Sequence, residues 1–194
     1  PGGQDSGGLD VRAPARLLLL ALPLALVAVI IWRSMLPDYG RMDDGERAAR
    51  VLAMYAEYAR EFPDVSGISA AEALAAFEEG SAVFIDVREP GEQAVSTIPE
   101  ALTPDGFRAD LAADPTRFAG KTAIAYCTIS YRSGVLAAAW QRQGGVTVRN
   151  LEGGLLAWLH AGGPLAGPDG APTNRAHVFG ATWDLAPRAV VTLY

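Results

Sequence analysis

The longest apolar run of the chain lies near its N-terminus, where residues 17–32 carry no charge and stand between Arg16 and Arg33. A helix rises about 1.5 Å per residue, so this run spans about 24 Å of a hydrocarbon core that is about 30 Å thick. Arginines at both ends can snorkel, and neighbouring apolar residues lengthen the helix. The pattern predicts a transmembrane helix over 13–36, preceded by a polar, Gly-rich tail over 1–12.

A cleaved signal peptide is the alternative to a membrane anchor. No A-x-A cleavage site follows Trp32, which favours an uncleaved anchor. More arginines follow the span than precede it, which favours a cytoplasmic location for the rest of the chain. The composition, rich in Ala, Arg, Gly and Pro, is typical of a bacterial protein. We therefore expect a single-pass protein of the bacterial inner membrane, with its domain on the cytoplasmic side.

Residues 37–66 are expected to form a helical linker. Apolar residues recur there at steps of three and four from Ala48 to Phe62, with charged residues on the other face. Pro63 ends the pattern. It predicts an amphipathic helix that packs on the following domain or lies at the membrane surface.

From Ile68 onward, short apolar stretches alternate with helical patterns. Ser69, followed three residues later by Glu72, forms a capping box that begins the first of these helices. Strands that alternate with helices are typical of a parallel sheet covered on both faces. The pattern predicts an α/β domain over 67–165 and an irregular extension over 166–194. The predicted strands are "AVFIDV", "TAIAY" and "VTVRNL", and the later helices are "SGVLAAAWQRQ" and "GGLLAWLHAGG".

The extension is rich in Pro and Gly but also carries large apolar side chains. Ordering its backbone costs roughly 1–2 kcal/mol per residue, so it needs contacts if it is to be ordered. Two interpretations stay open: it wraps its own domain, or it docks on a partner in or at the membrane. The side chains concerned are Phe179, Trp183, Leu185, Val190, Val191, Leu193 and Tyr194.

Charge and composition exclude several classes of site. The formal net charge of −6 is not gathered into one block, and it argues against nucleic acid as a partner. A single cysteine allows no internal disulfide and no CxxC zinc site. His160 and His177 lie far apart and are interpreted as surface or packing residues. We predict no metal site and no cofactor.

The single cysteine, in "YCTISYRSG", lies between a predicted strand and a predicted helix. A loop at the carboxyl end of a parallel strand turns backbone N–H groups inward, and the helix dipole adds partial positive charge. Arg132 adds a full charge and a planar fork of donors. Such surroundings favour the thiolate form of Cys127 and can hold an anion. The loop therefore combines a candidate nucleophile with an anion site.

Four segments, in order, resemble the rhodanese family over 68–165: "FIDVREPGEQ", "STIPEAL", "YCTISYRSG" and "VRNLEGGLLAWLHAGGPL". The family's active loop is a cysteine, four residues, an arginine and usually a serine or threonine. Related phosphatases have one more residue in this loop, so the shorter loop favours sulfur over phosphorus. The resemblance implies a rhodanese-like fold, a parallel sheet flanked by helices. The matching loop here is Cys127, Thr128, Ile129, Ser130, Tyr131, Arg132 and Ser133.

The resemblance also implies roles for these residues. Cys127 would take a sulfane sulfur from a donor, form a persulfide and pass the sulfur to a thiol or another nucleophilic acceptor. The loop amides would stabilise the persulfide, and Arg132 would orient the anion or hold the loop. Asp86 and Arg88 match a pair that supports the loop and lines its entrance, with a purely structural ion pair as the alternative interpretation. Trp158 and the pair 153–154 match family positions that serve packing and turn geometry.

Two departures from the family bear on the substrate. Where the family usually reads Gly-His-Ile-Pro-Gly-Ala, residues 96–101 read "STIPEA". The loop also carries Ile129 and Tyr131 where more basic or Gly-containing loops are common. The missing His and Gly make the first segment less standard, and the low charge of the active loop weakens the case for thiosulfate and favours a protein persulfide or a larger thiol compound. The sequence does not specify the donor or the acceptor.

A function of a different class remains as the alternative. The chain would then be an accessory subunit of a membrane protein complex that uses the rhodanese fold as a scaffold. Its transmembrane helix and both tails would contact other subunits. An intact loop from Cys127 to Arg132 favours the enzyme, whereas tails bound by other chains would favour the scaffold.

Overall fold

The computed structural model describes residues 39–144 and 146–194. The tail predicted over 1–12, the membrane helix predicted over 13–36 and the first two residues of the linker lie outside these ranges. Within the described ranges, no helix combines the length and the apolar character that a membrane crossing requires.

Four parallel strands form the central sheet, in the order β1-β4-β3-β2. Strands β2 and β3 run side by side, with Ala82 opposite Thr122 and Asp86 opposite Tyr126. Their carboxyl ends therefore meet at one edge of the sheet. The α/β fold with a parallel sheet is confirmed. The strands are β1 (Gly67–Ile68), β2 (Ala82–Asp86), β3 (Thr122–Tyr126) and β4 (Arg149–Leu151).

Six α-helices accompany this sheet in the described residues, and α3 and α4 were not among the predicted elements. The capping box at Ser69 is present, since Glu72 N donates to Ser69 Oγ over 3.2 Å and Ser69 N donates to Glu72 Oε2 over 3.0 Å. The helices are α1 (Asp44–Tyr58), α2 (Ala70–Glu78), α3 (Pro90–Gln93), α4 (Pro104–Ala113), α5 (Tyr131–Arg142) and α6 (Gly154–His160).

Side chains along each strand alternate between the two faces of the sheet, and each face has its own core. Phe84 of β2 belongs to the core that includes Trp158 of α6. Its neighbours Val83 and Ile85 belong to the core that includes Trp140 of α5. The sheet is thus covered on both faces, as the nearly continuous apolar strands require.

The extension lies on the domain, which is the first of the two interpretations given for it. Val178 and Leu185 are fully buried in a third core with Val51 of α1 and Leu156 of α6. Arg47 of α1 donates to the carbonyl of Ala186 over 2.7 Å. The extension is also more regular than expected, with strands β5 (Leu165–Ala166), β6 (Pro172–Thr173), β7 (Arg175–His177) and β8 (Val191–Leu193).

Leu185→Ala should lower the free energy of unfolding by about 2–5 kcal/mol, because it leaves a cavity in the core that joins the extension to α1. Urea denaturation measures the change. Val191→Ala is the matched control, since this side chain lies in the same extension and is 50% exposed. This substitution should change the free energy of unfolding by no more than about 0.5 kcal/mol. Equal costs for the two variants would show that the extension does not share the core.

Candidate active site

Cys127 lies directly after β3, at the edge of the sheet where β2 also ends. Its side chain is buried, yet it lines a cavity of about 290 Å³. Helix α5 begins at Tyr131, two residues before the predicted start at Ser133. The turn between strand and helix is therefore short, and the cysteine lies at its first position.

Ser130, the residue before α5, has a left-handed backbone with φ 79°. A non-glycine residue in this region costs roughly 1–3 kcal/mol and persists only where its surroundings hold it. Ser130 Oγ donates to the carbonyl of Leu151 over 2.5 Å, and Asn150 Nδ2 donates to the carbonyl of Ser130 over 3.0 Å. The end of β4 thus fixes the turn.

The same asparagine determines what Ser133 can do. Because Asn150 Nδ2 faces Ser130, its Oδ1 faces Ser133, whose hydroxyl donates to it over 2.7 Å. Ser133 Oγ lies 3.8 Å from Cys127 Sγ. The single hydroxyl hydrogen of Ser133 has Asn150 Oδ1 as its close acceptor and Cys127 Sγ as a distant second one. Ser133 holds the loop in place in this arrangement.

The backbone amides of the loop are available to a ligand. None of the N–H groups from Thr128 to Ser133 donates a hydrogen bond to another described residue. The carbonyls behave differently: Leu155 N donates to Cys127 O over 2.8 Å and Leu156 N donates to Thr128 O over 3.2 Å. With carbonyls engaged by α6 and amides free at the start of α5, the loop is suited to an anion.

Gly154 makes this contact between α6 and the loop possible. Its backbone has φ +59°, and a Cβ there would lie 2.8 Å from Thr128 O and still closer to Cys127 O. A side chain at this position would therefore push α6 away from the loop. The glycine pair at 153–154 was assigned to turn geometry from the sequence, and Gly154 also allows this close approach.

Arg132 makes a two-pronged ion pair with Glu92 of α3. Nη1 donates to Oε2 over 2.6 Å and Nη2 donates to Oε1 over 2.9 Å. Thr128 Oγ1 adds a hydrogen bond to Glu92 Oε1 over 3.3 Å. Arg132 therefore ties the loop to α3, which is the second of the two roles considered for it. Glu92 was not predicted as a site residue, although it lies in the segment "FIDVREPGEQ".

The ion pair shifts the titration of both partners. Burial alone would raise the pKa of the Glu92 carboxyl, but the hydrogen bonds and charge of Arg132 hold it below its ordinary value. Burial alone would lower the pKa of Arg132, but Glu92 and Cys127 raise it above its ordinary value. Since the pKa of Glu92 is lower in the folded state, the pair persists at neutral pH and is lost only as pH falls through that value.

Asp86 and Arg88 form a buried ion pair beside the site. Arg88 Nη2 donates to Asp86 Oδ2 and to the carbonyl of Ser96, each over 2.6 Å. The hydroxyl of Tyr126, the residue before the cysteine, donates to Asp86 Oδ2 over 2.7 Å and accepts from Ile98 N over 3.0 Å. Neither Asp86 nor Arg88 lines the cavity. The pair joins the ends of β2 and β3 to the segment that departs from the family.

Four aromatic residues form much of the cavity wall: Tyr58, Tyr131, Phe179 and Trp183. Phe179 lies with its ring centre 5.3 Å from that of Trp183 and 5.1 Å from the guanidinium carbon of Arg132. Tyr58 contacts the ring of Tyr131 edge to face at 5.5 Å. Of the four, the sequence identified Tyr131 alone as a site residue. The others are distant in sequence, and no local pattern connects them to the cysteine.

Both histidines make hydrogen bonds in the described part of the chain. His160 Nε2 lies 2.8 Å from the carbonyl of Leu185. His177 Nδ1 accepts from the amide of Phe179 over 3.1 Å and lies 3.8 Å from Glu92 Oε1. Neither histidine lines the cavity next to Cys127.

The central part of the chain matches a known family. The profile of the rhodanese-like domain matches residues 69–161. A sulfurtransferase of Allochromatium vinosum is 30% identical over 92 residues, which make up 45% of this chain and 81% of that protein. An uncharacterized protein of Synechocystis is 35% identical over 97 residues, 50% of this chain and 54% of that protein, so the match spans about half of its length.

A solved structure from Rhodopseudomonas palustris is also similar. It is described as a protein of unknown function and a possible tyrosine phosphatase, with 28% identity and a TM-score of 0.44. The match covers 59% of this chain and 92% of that chain.

Gly154→Ala should destabilise the protein by about 1–3 kcal/mol more than Gly162→Ala, as measured by urea denaturation. Both glycines have positive φ, but only Gly154 lies against the loop, whereas a Cβ at Gly162 meets no atom within 4 Å. Strain alone should cost about 1–2 kcal/mol at either position. The rate at which iodoacetamide alkylates Cys127 should change in Gly154→Ala only. Identical behaviour of the two variants would mean that α6 does not position the loop.

Proposed function

The chain belongs to the rhodanese-like domain family, and from this premise we propose that it is a membrane-anchored sulfurtransferase that works through a persulfide on Cys127. The observation that carries the proposal is the loop itself: a cysteine at the head of free backbone amides, with an arginine fixed at its far end. The sulfurtransferase of Allochromatium vinosum supports a function of the sulfurtransferase type.

The proposed reaction has two displacements. The thiolate of Cys127 attacks the outer, sulfane sulfur of a donor; the donor's bond to that sulfur breaks, and the remainder leaves with the bonding electrons, as sulfite does from thiosulfate. Cys127 then carries a persulfide. A nucleophilic acceptor attacks the outer sulfur, the S–S bond breaks, and the thiolate of Cys127 is restored. Sulfur is transferred as a neutral atom, so no external oxidant or reductant is needed.

The residues of the loop have separate tasks in this proposal. The amides from Thr128 to Ser133 surround the terminal sulfur of the persulfide, whose negative charge they stabilise from fixed positions. Arg132 keeps the loop closed through Glu92. Asn150 keeps the left-handed turn at Ser130. The chain has no second cysteine, so the acceptor is another molecule.

A membrane location is part of the proposal and rests on sequence. The apolar run 17–32 lies between Arg16 and Arg33, and neighbouring apolar residues and snorkelling arginines extend it to the thickness of the hydrocarbon core. We propose that this helix anchors the domain at the cytoplasmic face of a bacterial inner membrane. Such an anchor would keep the cysteine close to donors or acceptors at that surface.

Cys127→Ser should abolish thiocyanate formation from a sulfane donor and cyanide by the purified full-length chain, because serine cannot form the persulfide. Arg132→Lys should lower kcat/KM roughly ten- to hundredfold, since lysine cannot make both hydrogen bonds to Glu92, each worth about 1.5–3 kcal/mol. Arg142→Lys, at the exposed end of the same helix, serves as the control and should match wild type.

Two results would contradict the proposed reaction. One is equal thiocyanate formation by wild type and Cys127→Ser. The other is its absence from wild type with thiosulfate and with several organic donors. A persulfide adduct of one added sulfur on Cys127, seen by mass spectrometry after incubation with donor, tests the intermediate directly.

Membranes from cells that express the full-length chain should retain it after washing with carbonate and with high salt, because a spanning helix is not extracted by either treatment. A variant with Leu20→Arg and Val27→Arg should be released, since each charge near the bilayer centre costs about 2.5–3.5 kcal/mol on insertion scales. Release of wild type into the supernatant would exclude an integral anchor.

A further inference from the structure

The residues that line the cavity at Cys127 lie partly inside and partly outside the range that matches the family. Its base is the loop inside the family-matched range 69–161. Tyr58 comes from α1, before this range, and Phe179 and Trp183 come from the extension, after it. Cys127 lies at the base of the cavity. When a donor brings its sulfur to Cys127, the side chains from outside the family-matched range can therefore contact the rest of the donor molecule.

Charge in the cavity does not favour a small dianion. Arg132 is the one cation among the described residues that line it, and Glu92 neutralises Arg132 through both carboxylate oxygens. His177 does not line the cavity. A doubly charged donor would also approach a negative thiolate. The free amides provide partial charge for one anionic head and no second full positive charge.

Phe179 gives independent support for an apolar occupant. Its side chain is 54% exposed, and its backbone has φ 66°. Left-handed backbone is unfavourable for a bulky residue, by roughly 1–3 kcal/mol, and an exposed ring gains little from burial. The conformation nevertheless holds the ring at the cavity, against Trp183 and Arg132. An apolar group bound there would remove this ring from water.

The size of the cavity fits a small organic group. Its volume of about 290 Å³ lies at the lower limit of small-molecule pockets, which are about 300–1,000 Å³, and it corresponds to roughly ten water molecules at about 30 Å³ each. An inorganic anion of five heavy atoms would leave the aromatic walls wet. A donor with an aryl or short alkyl group would fill the space between them.

We propose that this site takes sulfane sulfur from small organic donors that combine an apolar group with a singly charged head, such as aryl or alkyl thiosulfonates and persulfides, in preference to thiosulfate. The inference rests on the sulfurtransferase function proposed above. With a thiosulfonate, the Cys127 thiolate attacks the outer sulfur, the S–S bond breaks, and the sulfinate leaves with the electron pair. Cyanide then removes the sulfur as thiocyanate and restores the thiolate.

The test compares three donors with the full-length chain, by thiocyanate formation with the Cys127→Ser blank subtracted. Methanethiosulfonate and benzenethiosulfonate have the same charged head and differ in the apolar group. We expect kcat/KM to be at least about tenfold higher for the benzene compound, since one buried methylene already discriminates by roughly 10–200-fold. Thiosulfate should be the poorest of the three.

Phe179→Gly is the decisive variant. Glycine adopts left-handed backbone without strain, so this substitution removes the ring and keeps the backbone conformation. The ratio of kcat/KM for benzenethiosulfonate to that for methanethiosulfonate should fall by at least about threefold. Tyr194→Ala removes an exposed aromatic of the same extension that does not line the cavity, and its ratio should equal that of wild type. An unchanged ratio in Phe179→Gly would overturn the assignment.

Glu92→Gln tests the argument from charge. Removing the carboxylate leaves the charge of Arg132 uncompensated, so the ratio of kcat/KM for thiosulfate to that for methanethiosulfonate should rise by about threefold or more. A constant or lower ratio would show that Glu92 does not disfavour the dianion. Loss of the ion pair can also lower activity in general, but that would lower kcat/KM for both donors alike. The ratio therefore reports only the change in preference for thiosulfate.

Binding of the unreactive products separates failure of the inference from failure of the proposed function. Calorimetry should show tighter binding of benzenesulfinate than of methanesulfinate to wild type, and the difference should shrink in Phe179→Gly. If this preference is present but no donor reacts, the sulfurtransferase function is wrong and the apolar pocket stands. If donors react without any preference for the aryl group in rate or binding, the pocket assignment is wrong and the sulfurtransferase function stands.

Discussion

The contact between the start of α6 and the loop after β3 is the constraint on which the rest of the site depends. Leu155 N and Leu156 N donate to the carbonyls of Cys127 and Thr128. Once these carbonyls are engaged on one side, the following amides are left for a ligand. The contact requires Gly154, because any Cβ there would overlap the loop carbonyls. The close packing of the α6 backbone against the loop backbone thus leaves an anion site next to the nucleophile.

The ion pair between Arg132 and Glu92 adds a second level of control. A half-buried arginine without a partner would carry a large desolvation cost, and the carboxylate removes it while fixing the planar guanidinium at two points. The same pairing cancels the charge that would attract a dianion. The ion pair therefore holds the loop rigidly but weakens its electrostatic attraction for a dianionic donor. Donor binding then depends on the free amides and on the apolar cavity walls.

Features that depend on neighbouring residues could be predicted from the sequence. Features that depend on contacts between distant residues could not. The junction at Cys127, the cap at Ser69 and the apolar strand β2 follow from neighbouring residues, and each is present in the fold. Glu92 lies 40 residues from Arg132, and only the shared edge of β2 and β3 brings them together. The start of α5 was misplaced because Ser130 is held by Asn150 on a later strand.

Phe179 and Trp183, which the sequence did not identify as site residues, change the interpretation of the C-terminal extension. Sequence alone treated their segment as an element that wraps the domain or docks elsewhere. The segment does lie on the domain, and Leu185 and the pairing of β7 with β8 anchor it on either side, so the aromatic wall is held before any ligand arrives. A wall ordered in advance lowers the entropy cost of binding. Because these residues lie outside the family-matched range, substrate choice can change in them while the reacting loop stays the same.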